Sequence, residues 1–247
     1  MLVPERAYGS GAARQQRGQR FVYSEVDFRR AITLLLADLT TVGGRPFSGG
    51  GLVFAGTFEV TRPLVIPAEC AGVTIFAAAR FPIFPVGVVA SLFDVRAPLV
   101  TIRDLLCASR SATHLFSAFV TVGNSGADHL RVLDNYVVAD RVYVESATND
   151  PNDCQVIGNV QSHISGTHAA PIVVHGGRAK IERNNVADGG GDGITVGAGG
   201  DFASIKGNDL RGADITTSAS DGYNVIDGNT QCGTITSHAT DAVGLNT

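Results

Sequence analysis

A chain of 247 residues with 44% hydrophobic and 17% charged residues carries enough apolar content for a core and no compositional sign of wholesale disorder. Its formal charge of −4, with 17 arginines and two lysines scattered along the chain, offers no basic stripe or module for nucleic acid. The longest charge-free apolar run, 81–93, has 13 residues and contains Pro82 and Pro85, short of the 18 or more that a membrane span requires.

Residues 1–23 read as an N-terminal arm. The first 20 are polar, rich in glycine and arginine, and without periodicity. Arg6, Arg14 and Arg17 have no apolar stretch behind them, so this is not a secretory signal. From Ser24 the pattern becomes helical. Ser24 and Asp27 form a weak capping box, and Phe28, Ile32, Leu35, Leu36 and Leu39 follow at helical spacing until Gly43-Gly44. The expectation is one amphipathic helix over 24–44 that covers the first coil of a solenoid, because an uncovered solenoid end exposes strand edges and apolar core.

Residues 45–247 form the remaining body. A glycine-rich turn at 49–51 leads into Leu52–Val60, then apolar pairs at 63–67 and 73–76. Between 130 and 230 a phrase recurs five times, an apolar residue, two variable residues and asparagine, ending at Asn135, Asn159, Asn184, Asn208 and Asn229. The steps of 24, 25, 24 and 21 residues fall in the range of solenoid repeats. Asparagine tolerates left-handed backbone, so each is expected at a tight corner between two short strands. Stacked about 4.8 Å apart, the corners would let the amides bond one another as a structural ladder. A second β-rich stretch precedes each corner, at 120–122, 142–144, 172–174, 194–196 and 215–217.

These residues resemble the right-handed parallel β-helix of the pectate-lyase-like class, whose members commonly carry an asparagine ladder at one turn. The resemblance, covering roughly residues 52–237, implies an all-β solenoid of about seven coils with an N-terminal capping helix. It implies little about chemistry, since the same scaffold serves lyases, hydrolases, phage tailspikes and adhesins. After Ile235 no second capping helix is encoded, so self-association, most simply a homotrimer as in phage spikes, is expected to cover the far end.

Alternation along the second stretch puts Val142 and Val144 inward and Tyr143, Glu145 and His175 on an outer face. With Asp192 in the following turn, Glu145 and His175 are the catalytic candidates if the chain is an enzyme, a polysaccharide lyase or glycosidase acting on an acidic glycan. The polygalacturonase-like and pectate-lyase-like motif sets are otherwise missing. Tyr143 and Tyr223 are the candidates for stacking on sugar rings. Asp188 to Gly193 is a turn by composition and matches neither a phosphate loop nor a repeated calcium nonapeptide. Cys70, Cys107, Cys154 and Cys232 form no CxxC pair, and Cys107 and Cys154 fall on inward positions. No cofactor or metal is implied.

The leading expectation is therefore a structural, receptor-binding β-helix of a phage or virus-like particle: a spike, decoration or tail component. It would sit at the particle surface, contact other virion proteins through residues 1–20, and bind surface polysaccharide.

Overall fold

The computed structural model describes residues 22–24, 26–33, 51–122, 126–147, 151–162, 170–186 and 191–247. Its backbone is a parallel solenoid of about seven turns. Each turn crosses three faces in the same order, and each face is one parallel sheet. Sheet A has nine strands, from Gly51–Phe54 to Ala242–Val243; sheet B has six, from Val22–Ser24 to Val160–Ser162; sheet C has eight, from Leu64–Ile66 to Ile235–Thr236. Beyond Val160, sheet B continues only as single bridges through Asn185, Asp209 and Thr230.

The short period explains the short strands. A turn of 21 to 25 residues shared among three faces and three corners leaves mostly three residues per strand. The apolar residue of each repeated phrase points inward, and Val132, Val156, Ile181, Ile205 and Ile226 lie in register one above the next. All five are essentially fully buried. Stacked β-branched side chains on a pleated surface are what strand propensity favours.

The left-handed corner residue is not the asparagine. It is the residue before it: Asp104, Asp134, Gly158, Arg183, Gly207 and Gly228 have φ between 54° and 70°. That backbone turn aims the next side chain into the body, so each asparagine is buried and contributes its amide rather than its conformational tolerance.

The helix spans residues 26–33. Phe28, Ala31 and Ile32 are its buried face, and the Phe28 ring lies 6.1 Å from Phe54 and 6.2 Å from Phe93. It therefore packs onto the interior of the first coils. The rest of the span expected to be helical, 34–44, lies outside the described residues, as do residues 1–21 of the arm. Val22–Ser24, assigned to the arm and helix start from sequence, is instead a strand paired with Thr57–Glu59.

Candidate functional site

Sheet C sets which side chains face out. Tyr143, not Val142, is the register partner of Ile172, and Val144 pairs with Val173. A shift of one residue inverts the faces of a strand. Tyr143 and Glu145 consequently point inward, 0% and 2% exposed, and the expectation that Tyr143 meets a sugar from an outer face is corrected by its burial.

Glu145 occupies an inward column whose preceding members are Ile66, Val95 and Val122. A carboxylate there requires dedicated donors. The Tyr143 hydroxyl donates to Oε1 at 2.7 Å, and the backbone N–H groups of His175 and Gly176 donate to Oε2. Glu145 thus ties its own coil to the corner of the next. Gly176 fits there because a Cβ would stand 1.6 Å from the Pro151 carbonyl oxygen. Burial, reinforced by the Glu145 charge, pushes the neighbouring Cys154 thiol up to about 12. The Tyr143 phenol is raised well above its ordinary value by the same burial first and the same charge second.

The three catalytic candidates do not converge. His175 offers Glu145 its backbone N–H; its ring covers Gly197, where a Cβ would come within 2.3 Å of Cε1. Asp192 is exposed, accepts from the Thr216 hydroxyl at 2.7 Å, and begins the strand Asp192–Val196. His175 follows the strand paired with the far end of that one, so the two are roughly 15 Å apart at about 3.3 Å per residue. The interior position of Glu145 and this separation correct the expectation of a shared outer-face triad. Asp188, His163 and His168 lie outside the described residues.

The asparagines of the repeat are hydrogen bonded in sequence. Nδ2 of Asn135, Asn159, Asn184 and Asn208 each donates to Oδ1 of the next at 2.9 to 3.0 Å. Each Oδ1 also accepts the backbone N–H of the residue below, beginning with Leu105 to Asn135 at 3.0 Å. Asn229 continues to Asn246 at 2.8 Å, a member that the spacing alone does not reveal. Val243-Gly244-Leu245-Asn246 is the same phrase after a step of only 17 residues.

A second row lies on the outside, at the corner between sheets C and A. Leu99, His129, Asp153, Arg178, Phe202 and Tyr223 each stand six residues before a member of the Leu105/asparagine row, and each has φ between 52° and 60°. Arg178 grips Asp153 with two bonds of 2.8 Å, and His129 Nδ1 is 3.7 Å from the same carboxylate. The hydrogen bond from Arg178 holds the Asp153 carboxyl below its ordinary range. Next along the row, the Phe202 and Tyr223 rings stack with centroids 5.4 Å apart and planes 13° from parallel. They are 57% and 59% exposed, so the Tyr223 candidate is accessible and has an aromatic neighbour.

Among the described residues no group of three or more His, Cys, Asp or Glu side chains is placed to hold a metal ion. No described helix is long and apolar enough to cross a membrane.

No protein-family model matches the chain, and no curated protein matches it. Among solved structures, the crystal structure of the Dettilon tailspike protein (gp208) aligns with 91% of this chain at a TM-score of 0.54 and 15% sequence identity. The chain spans about half the length of that protein, 49%. At this identity the likeness speaks for the fold alone, and in fold the chain is a parallel β-helix like that of a tailspike.

Proposed function

We propose that the chain is a structural, receptor-binding β-helix of a phage or virus-like particle, acting as a spike, decoration or tail component at the particle surface and binding surface polysaccharide. The observation that carries this reading is the alignment of 91% of the chain with a tailspike protein. The exposed Phe202–Tyr223 pair supports the polysaccharide part, since aromatic side chains bring a large apolar body and tyrosine a polar tip to a wet surface. The hydrogen-bonded asparagines act as the structural ladder that keeps the coils in register.

Self-association, as a homotrimer, is proposed to use the outer face of sheet B. There Leu106, Tyr136 and Val160 stack in register, with Tyr136 and Val160 each 37% exposed. Residues 1–20 are proposed to attach the chain to other virion proteins.

The test is retention of the full chain on a panel of bacterial capsular and lipopolysaccharide glycans. The double variant Phe202→Ala, Tyr223→Ala is expected to bind roughly 5- to 160-fold more weakly, as losing about 0.5–1.5 kcal/mol for each of two rings implies. Retention equal to wild type, or no retained glycan at all, refutes the polysaccharide reading. A sedimentation mass of one chain at micromolar concentration refutes the trimer, and unchanged incorporation of a chain lacking residues 1–20 refutes the anchor.

A further inference from the structure

The connections from sheet B to sheet C differ in length from coil to coil. After Tyr136–Val138 the chain crosses in residues 139–142, whereas the coil before takes 109–119. A short path beside a longer one leaves a notch in the flank of the rod, of about 280 Å³. Thr121 and Val144, outward register partners on sheet C, line it together with Ser117, Ala118, Asp140 and Arg141.

The notch is preformed. Gln161, 1% exposed, reaches from the next coil and donates Nε2 to the carbonyls of Ala139 and Asp140 at 3.0 and 2.8 Å, which pins the short path from inside. The Arg141 carbonyl accepts from Phe119 N–H at 2.9 Å. Thr121 Oγ1 is bonded to Ser91 Oγ and to the Phe93 carbonyl. Arg141 itself is half-buried, and among the described residues no carboxylate lies within ion-pairing distance of it, unlike Arg96, Arg103 and Arg178. Arg141 lines the notch, and a guanidinium is a fork for a planar anion.

We propose that this notch binds one carboxylate-bearing sugar unit. Arg141 holds the carboxylate, Ser117 and Thr121 meet ring hydroxyls, and Val144 and Ala118 pack against the C–H face. Asp140, buried beside Arg141, excludes a second negative group on that side. The volume suits a single ring rather than a threaded chain. The site stands on the notch; only the expectation that the unit belongs to a polysaccharide rests on the proposed function.

The experiment titrates the full chain with sodium D-glucuronate and D-galacturonate, with D-glucose and sodium acetate as controls, by calorimetry and by amide chemical shifts. Saturable uronate binding is expected, at least tenfold tighter than either control, shifting the amides of Thr121 and Val144. Arg141→Gln is expected to lose at least tenfold and Arg141→Lys to lose less, because an ammonium keeps the charge without the fork. Glucose or acetate binding as tightly as the uronates, unchanged affinity in Arg141→Gln, or shifts elsewhere on the rod overturn the proposal. Should Arg141→Gln fold poorly, Ser117→Ala with the same shift readout takes its place. Competition by polygalacturonate places the unit in a chain, and lack of competition places the site with the free acid. Either result supports the site, and the Phe202–Tyr223 variants test the polysaccharide reading separately.

Discussion

Removing one amide from the middle of the asparagine row should cost far more than removing one from its end. Asn184 donates Nδ2 to the Val156 carbonyl at 2.8 Å and to Asn208 Oδ1 at 3.0 Å. Its Oδ1 accepts from Asn159 N–H and Asn159 Nδ2, both at 3.0 Å. Asn184→Ala removes all four bonds at a site 1% exposed, where water cannot replace them without opening the corner. At about 1 kcal/mol net per bond, with more for the Asn159 N–H left buried and unpaired, the loss is about 4 kcal/mol. That is a large part of the roughly 5–15 kcal/mol that stabilises a folded domain. Asn246 also accepts two bonds from Asn229, at 3.0 and 2.8 Å, but it is only half-buried. Water can substitute there, and Asn246→Ala should cost about 1 kcal/mol. Urea unfolding followed by circular dichroism reads the difference as a shift in midpoint, with hydrogen exchange reporting whether the coils unfold together, as solenoids need not. If Asn184→Ala and Asn246→Ala fall within about 1 kcal/mol of each other, on the mutational scale for single bonds, the row is not what holds these coils in register.

The remaining expectations concern the buried carboxylate, the thiols and the far end of the rod. Glu145→Gln keeps the shape but replaces one accepting oxygen with a donating NH2 opposite the Tyr143 hydroxyl or the His175 and Gly176 N–H groups, which are donors themselves, and should destabilise by about 2–3 kcal/mol; wild-type stability with lost glycan cleavage would instead reveal a catalytic role. For Cys154, the folded pKa of about 12 exceeds the ordinary value of about 9. Between those values the unfolded chain has released a proton that the folded chain retains, so stability falls as pH rises above about 9, by up to about 1.4 kcal/mol per pH unit for this thiol. Urea midpoints from pH 8 to 11 check the sign, and a flat profile contradicts it. Asp241 accepts from Asn224 N–H and Nδ2, from His238 N–H and from the Thr217 hydroxyl. Asp241→Ala should therefore raise hydrogen exchange in 217–243 while leaving 93–122 protected.

The architecture was legible in the sequence because its signal is a period, and a period survives wide variation in the residues between its beats. The five asparagines found from their spacing are the ones that bond to each other. Asn246 is hidden from the spacing because its step of 17 breaks the period, although its phrase is intact. The left-handed residue was misplaced by one because asparagine, aspartate and glycine all tolerate that conformation, and here two of them stand side by side in most phrases. Around Tyr143 the alternation was ambiguous. Valine at 142 and 144 can face either way, and it is the register, with Tyr143 beside Val120 and Ile172 and Glu145 beside Val122, that puts Tyr143 and Glu145 inside. That single step moved a supposed outer site into the core. The Phe202–Tyr223 stack was equally periodic, six residues ahead of the asparagines, but its row mixes leucine, histidine, aspartate, arginine and aromatics. Nothing in residue type marks it as a row until the backbone does.

The first and last described coils differ in what they leave exposed, and this bears on where the proposed self-association can draw its strength. At the helix end, Phe28, Phe54, Phe58 and Phe93 form a contiguous aromatic group, with Phe54 and Phe58 centroids 4.4 Å apart. Each such ring, fully buried, is worth about 1.5–3 kcal/mol, so a helix there is strongly stabilising. At the other end, the corner between sheets C and A is filled by Thr217, Ser220, Asn224 and Asp241, bonded to one another. Such groups exchange partners with water at small cost. The last described strands of sheets C and A carry Ile235, half-buried, and Val243, 47% exposed. Burying what remains of two aliphatic side chains yields about 2–3 kcal/mol, whereas bringing two chains together costs an estimated 4–15 kcal/mol or more. Ile235 and Val243 alone therefore supply too little for the proposed trimer. The proposed trimer draws instead on the flank, where Leu106, Tyr136 and Val160 repeat on three successive coils.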